Sequence, residues 1–462
     1  MVPVSLAIAC AVCLIGWVWG LGDRDLSLRG PDDDGTPPDA GVVEGPVKIE
    51  GTLVSGEGKP ADIDGSWPWF RGYDFNAIST DKDTKLALSW PAEGPAVLWS
   101  VDVGEGYAGA AILDGCVYIV DYDRETLSDA IRCLSLATGE EIWRYSYPVK
   151  ITYNHGMSRT VPAVTDKYLV AIGPMCHVTC LDTATGEFRW MLNLPKEFGT
   201  KVPLWYAGQC PLIDDEKAII APGGDCLLMA VDCQSGEVIW KTENRHKWNM
   251  THSSITPVTF AGIEMYVYCG SGGVAGVSVD DGKVLWETTE WKMRTNVPSP
   301  VVAGDGLIFL SAGYGKGSMM LRLAEEDGAI TAKTEFALEP KVFGSEQHTP
   351  IFYEGFIYGI RPDWQMVCLD LNGNVVWTST SAKTFKKLGP FMIANGLLYI
   401  MDGNGTLTLA EANSTGYLQL SEAKVLDGVE SWAPMAIASG RLIVRDLKKM
   451  ICLDVRAGQE AN

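Results

Sequence analysis

One short pattern recurs five times, and it restricts the chain to a repeat architecture. Leu134-Ser-Leu-Ala-Thr-Gly-Glu-Glu-Ile-Trp143 returns as Leu181-Asp-Thr-Ala-Thr-Gly-Glu-Phe-Arg-Trp190, as Val231-Asp-Cys-Gln-Ser-Gly-Glu-Val-Ile-Trp240 and as Val277-Ser-Val-Asp-Asp-Gly-Lys-Val-Leu-Trp286. A shortened copy is Leu369-Asp-Leu-Asn-Gly-Asn-Val-Val-Trp377. In all five the tryptophan follows the turn glycine by four residues, a regularity that chance does not produce. Two weaker copies turn at Gly328 and Gly416, with Ala332 and Leu420 in the tryptophan place. A turn glycine followed by an apolar-alternating run predicts a hairpin whose second strand ends in a large flat ring.

Between these copies lies a second series. Pro162, Pro211, Pro257, Pro300, Pro350, Pro390 and Pro434 each open a short apolar strand, a turn and another strand, and Ala110–Ile119 is an eighth copy without the proline. Each unit therefore holds four antiparallel strands, with the first after the proline and the fourth ending at the tryptophan. That is the signature of a propeller blade. Complete units number seven, and Val97–Val101, carrying Trp99, supplies the strand missing from the last. The fold expected is an all-β, eight-bladed propeller of four-stranded antiparallel blades, closed by an N-terminal strand so that no sheet edge stays open at the seam. It should span residues 67–458, with repeats from about 90 and a tail at 459–462.

What precedes the ring differs in composition. Residues 1–22 carry no charge and are long enough to cross a bilayer, so they read as a membrane anchor, with a cleaved signal segment as the alternative. Residues 23–66, rich in Asp, Gly and Pro, read as a disordered linker. The formal charge of −21, from 37 Lys+Arg against 58 Asp+Glu, argues against nucleic acid as a partner, since phosphate binding needs clustered cations.

The Leu-Asp-x-x-Thr-Gly-x-x-x-Trp unit resembles the repeat of the PQQ-like propellers, which include quinoprotein alcohol dehydrogenases and BamB-type outer-membrane assembly proteins. Trp67-Pro-Trp-Phe-Arg-Gly72, with Gly104-Glu-Gly-Tyr107, resembles exported bacterial members that carry a WPxFRG motif before the ring. The resemblance implies that Trp99, Trp143, Trp190, Trp240, Trp286 and Trp377 are docking tryptophans between blades. It also implies a monomeric ring in the cell envelope, with a protein or envelope-polymer partner, that acts as a binding or scaffold module rather than an enzyme. The alternative it implies is a dehydrogenase using PQQ and Ca²⁺, for which Trp248, Arg159, Asn296 and Glu346 are the candidates. Against that alternative, no adjacent cysteine pair exists, although quinoprotein dehydrogenases commonly carry one.

Polar residues gather in the connections from fourth to first strands, which surround one mouth of a propeller channel. His155, Arg159, Tyr206, Gln209, Trp248, His252, Asn296, Glu346, Gln347, His348 and Trp432 are the candidate ligand-binding residues for a small molecule or peptide. His155, His252 and His348 fall in blades 2, 4 and 6, and a wide ring would let them touch one larger ligand separately. With ordinary imidazole pKa values of about 6.5, they would tune binding near pH 6. No zinc-type spacing, phosphate loop or nucleophile–histidine–acid set appears, so no metal or catalytic residue is assigned. Cys133, Cys180, Cys368 and Cys452 share one repeat position and read as small buried hydrophobes, while Cys116 with Cys133 could bridge within one blade.

Overall fold

Glycine at positive φ folds the chain back after each repeat copy, as at Gly139 (φ 73°) and Gly186 (φ 74°), where a side chain would be strained. The resulting hairpins build the ring. The computed structural model describes residues 49–152, 155–379, 385 and 389–458; the segment 1–22 and the tail 459–462 lie outside these. Among the described residues are eight antiparallel sheets arranged as propeller blades. Middle strands such as Tyr168–Ile172 and Leu397–Met401 are buried at every position, because each is covered on both faces by neighbouring blades. Outer strands such as Val238–Glu243 alternate buried and exposed residues, since one face meets water.

The ring closes as the sequence predicts. Ala96–Asp102 pairs antiparallel with Lys449–Asp454, with Trp99 opposite Cys452, so the eighth blade takes its outer strand from the front of the chain. All six repeat tryptophans are buried. A β-bulge leaves one unpaired residue immediately before each of them, for example Arg189 before Trp190 and Leu98 before Trp99. The added twist aims the indole at the next blade. There it lies on the turn glycine: a Cβ on Gly139 would meet Trp99 at 2.8 Å, and one on Gly236 would meet Trp190 at 2.7 Å. The Trp99 and Trp190 Nε1 groups donate to the carbonyls of Leu136 and Cys233 in that neighbouring blade, at 2.9 and 2.8 Å.

This geometry explains the cysteines. Cys133, Cys180, Cys368 and Cys452 stand directly opposite Trp143, Trp190, Trp377 and Trp99, where only a small side chain leaves room for the indole. Ala230 and Gly276 fill the place in the other two blades. The ten cysteines among the described residues are buried free thiols, Cys116 and Cys133 included.

Three expectations need correction. In blade 5 the docking position belongs to Phe336, not Ala332, because the fourth strand runs on over Ala329–Leu338 and its bulge falls at Glu335. Phe336 lies on Gly373 of the next blade as the tryptophans do. In blade 7 the position is Ser421, with Leu420 as the bulge residue. Ser421 Oγ accepts the Trp90 amide at 3.1 Å, and Trp90 packs beside Tyr399. Finally, the linker expected over 23–66 is not loose throughout. Thr52–Ser55 adds a fifth strand to blade 1, pairing with Arg144 and Ser146, so the open outer edge of that blade captures it.

The WPxFRG segment lies inside the ring. It enters among the turns that join first to second strands, where Ser439 Oγ donates to the Asp64 carbonyl at 2.5 Å. Trp67 exchanges amide hydrogen bonds with Ile112 of blade 1, and Val164 of blade 2 donates to the Pro68 carbonyl at 2.9 Å. The chain turns through Gly72, returns past Ile393 of blade 7 at Ala77 and Ser79, and so stoppers the channel from below.

Candidate functional site

At the tip of the stopper stands Arg71, buried and fully used. Its Nε donates to Phe75 O (2.8 Å), Nη1 to Thr349 O (3.0 Å) and Nη2 to Pro350 O (2.9 Å). Burial pushes this guanidinium down to about 9. Above it, the fourth-to-first connections enclose a cavity of about 310 Å³, floored by Trp67, Phe70 and Arg71. That volume is at the small end of ligand pockets.

The wall is aromatic. Tyr107 and Trp432 stack at 5.3 Å between centroids, and the Tyr107 hydroxyl donates to Glu430 Oε2 at 2.7 Å. His155 lies 3.2 Å from the same hydroxyl and edge-on to Trp432. The Arg159 guanidinium sits 4.8 Å above the Tyr107 ring, and its Nε donates to the Trp205 carbonyl. Trp205 and Tyr206 both hold positive φ, 64° and 72°, which L side chains adopt only where the surroundings enforce it. Trp205 in turn packs against His252 and Tyr314, at 6.4 and 6.2 Å.

Burial sets the charge state. It pushes the His348 imidazole down to about 3, and burial with Arg159 nearby brings His252 to about 4. His155 is lowered by burial and by Arg159, with Glu430 opposing. The histidines are therefore neutral near pH 7, and the expectation that they titrate near pH 6 is corrected: the desolvation that makes the pocket removes the proton. Arg159, lowered by burial to about 10, stays cationic. Its Nη2, both ring nitrogens of His252, His348 Nε2 and Trp432 Nε1 are buried without a hydrogen-bond partner of normal geometry. The Leu204 and Tyr206 carbonyls approach His252 but do not meet that geometry.

Of the candidate residues, His155, Arg159, His252, Gln347, His348 and Trp432 line the cavity. The three histidines all line this one cavity. Glu346 stands next to that wall, packed on Gly313 and raised by burial. Tyr206 lies just behind it, its hydroxyl bonded to the Thr152 carbonyl. The other three are structural. Gln209 pairs both its amide atoms with the Ala221 backbone, at 2.9 and 3.2 Å. Asn296 accepts from Trp291 Nε1 (2.9 Å) and donates to Pro298 O (2.6 Å). Trp248 covers the turn Gly270–Gly273, where a Cβ at Gly272 would strike it at 2.5 Å. His246 stacks on Trp248 and pairs with Glu287 at 2.9 Å, away from the mouth.

This distribution bears on the quinone alternative. Of Trp248, Arg159, Asn296 and Glu346, only Arg159 lines the cavity, and the Asn296 carboxamide is consumed. No group of three or more His, Cys, Asp or Glu side chains that could hold a metal ion occurs among the described residues. The residues present do not fit that cofactor as expected.

Sequence reasoning missed Trp67, Phe70, Arg71, Tyr107, Trp205, Tyr314 and Phe391 as cavity residues. The motif itself was a signal, because four large side chains within Trp67–Arg71, just after the linker expected over 23–66, call for burial. Tyr314 comes from a second-to-third-strand turn, which reaches the same face as the histidine connections.

Comparison with known proteins agrees with the architecture. Residues 127–379 match the family model described as outer membrane protein assembly factor BamB. BamB of Yersinia pestis is 24% identical over 202 residues, which cover 41% of this chain and 50% of that protein, so the chain spans about half the length of this curated relative. Among solved structures, BamB from Moraxella catarrhalis superposes with a TM-score of 0.56 at 15% identity, covering 78% of this chain and 99% of that one. A europium-containing methanol dehydrogenase gives 0.59 at 11% identity, covering 82% and 89%. The quinohemoprotein alcohol dehydrogenase of Comamonas testosteroni gives 0.56 at 13%, covering 86% and 81%. At such identities the structural likeness establishes the fold alone.

Proposed function

Because the chain belongs to the family of PQQ-like propellers described as outer membrane protein assembly factor BamB, we propose that it is a binding and scaffold propeller of the bacterial cell envelope. The proposal extends to a monomeric ring, a protein or envelope-polymer partner, and tethering of a periplasmic domain by residues 1–22. No helix among the described residues is long and apolar enough to cross a membrane, so the tether rests on the sequence of 1–22 alone.

The observation that supports binding over catalysis is the state of the pocket histidines. A general base works best with a pKa near the working pH, and His252 and His348 lie about 4 and 3. A pocket of neutral imidazoles, aromatic faces and two buried arginines is suited to holding a ligand. The test is an assay of the full-length protein with PQQ, Ca²⁺, a redox dye and a panel of alcohols and sugars. The expected result is dye reduction no faster than in the protein-free control; sustained turnover would overturn the scaffold reading. In the parent cell, deleting the gene should lower the amounts of outer-membrane barrel proteins, and unchanged amounts would remove the assembly role.

A further inference from the structure

The cavity holds two buried arginines with opposite bonding. Arg71 spends its nitrogens on three backbone carbonyls. Arg159 makes one backbone bond through Nε, lies flat on Tyr107, and leaves Nη2 buried and unpartnered. A buried guanidinium with an unbonded nitrogen is costly: Glu430 is close enough to act on its charge but spends its hydrogen bond on the Tyr107 hydroxyl. Trp432 Nε1 is a second donor in the same cavity without a partner, and His348 Nε2 and the two His252 ring nitrogens, each donor or acceptor according to tautomer, lack one of normal geometry. Two donors without acceptors, one of them on a cation, describe the complement of an anion.

We propose that this cavity binds an apolar monocarboxylate, its carboxylate on Arg159 and its body against the aromatic wall. The inference rests on the scaffold reading and names the ligand class of the same pocket. The single unpartnered Arg159 Nη2 offers a place for one carboxylate, and a polyanion would set its further charges against Glu430, Glu346 and a chain of net charge −21. The volume of about 310 Å³ suits a single ring with a short acid arm, and Phe391, Met392 and Pro390 give it an apolar side. Such an end group belongs equally to a free small acid and to the C-terminal residue of a peptide.

Calorimetric titration of the full-length protein separates these cases. The probes are 3-phenylpropionate, its neutral amide, and Gly-Gly-Phe with a free or an amidated C-terminus. The acid forms should bind about 10- to 100-fold more tightly than the amides, the range for hydrogen bonds to a charged group. Binding of the small acid alone identifies a free acid as the source, and binding of the free-ended peptide alone identifies a chain terminus. Equal affinity of acid and amide, or no heat from any probe up to about 10 mM, overturns the proposal. Arg159→Gln should abolish the preference for acid over amide while the melting temperature stays level or rises. If that variant does not fold, the acid–amide comparison on the natural protein still decides. Dye reduction with PQQ would overturn the scaffold reading without altering the acid–amide ratio. Equal acid and amide binding would remove the anion site without producing dye reduction.

Discussion

The two ends of the channel are built from similar residues and do different work. Below, the stopper carries Trp67, Phe70 and Arg71, and each polar atom of the arginine finds a carbonyl. Above, the mouth carries Trp432, Tyr107 and Arg159, with orphaned donors around them. Satisfied polar groups rigidify a fold, whereas unsatisfied ones raise its energy until something outside it bonds them. The contrast makes the lower end part of the fold and supports the proposal that the upper end takes a ligand.

Five measurements can break or sharpen that contrast. The largest effect should come from truncation. Removing residues 1–66 takes away the stray strand of blade 1 but spares the stopper and the closing strand, so cooperative unfolding should persist. Removing residues 1–103 opens both the floor and the seam and should abolish it. Equal melting temperatures for the two proteins would mean that neither feature holds the ring.

Next comes Arg71→Met, which strands the Thr349, Pro350 and Phe75 carbonyls in a dry interior. Its cost should be about 3–5 kcal/mol in denaturant unfolding. A change under about 1 kcal/mol would put the stopper on the same footing as the mouth.

A smaller, pH-dependent gain is expected at Asp129, buried between blades 1 and 2 on the mouth face. Burial raises its carboxyl to about 7, with Tyr147 nearby holding it partly down. A carboxyl raised above its unfolded value of about 3.9 lends stability below that pH and loses it as pH climbs through 7. Asp129→Asn should therefore stabilise by about 1–3 kcal/mol at pH 8 and by almost nothing at pH 4. The histidines work the other way: His252 and His348, depressed to about 4 and 3, favour folding above about 6.5 and progressively disfavour it as acid is added. Replacing both by Leu should flatten the acid limb of the stability profile, and an unaltered limb would place them in water.

The smallest stability effect should be that of Arg159→Gln, level with the natural protein or more stable by up to about 1 kcal/mol. A loss as large as that of Arg71→Met would show that Arg159 is structural, and the contrast between the two ends would vanish.

How far the sequence reveals these features follows from what each depends on. Blade number and ring closure are legible because a tryptophan four residues past a glycine is a local, repeated requirement of inter-blade packing. Where the repeat lapses, at Ala332 and Leu420, counting from the turn misplaced the docking residue, since strand length and bulge position belong to the pairing partner. The mouth histidines are legible from their place before the first strands. Gln209, Asn296 and Trp248 share that placement and yet face inward to backbone and glycine, because one loop residue in a tight turn can point opposite to its neighbour. Arg71 and Phe70 were out of reach for a different reason. Their cluster of large side chains signals burial, but a segment with no periodicity does not say where, and only the positions of distant strands make a channel for it.

The seam in blade 8 has a bearing on time. Trp99 and its partner Cys452 lie about 350 residues apart, and the strand that leaves the ribosome early must await one made almost last. Through that interval Ala96–Asp102 is an exposed edge, with Val97 and Leu98 already facing solvent even in the finished ring. Blades 1 to 7 can each form from consecutive hairpins as they emerge, but the circle is sealed only when Lys449–Asp454 arrives. A chain that stalls before that point would hold seven blades and an unpaired strand, the combination most open to pairing with another copy of itself.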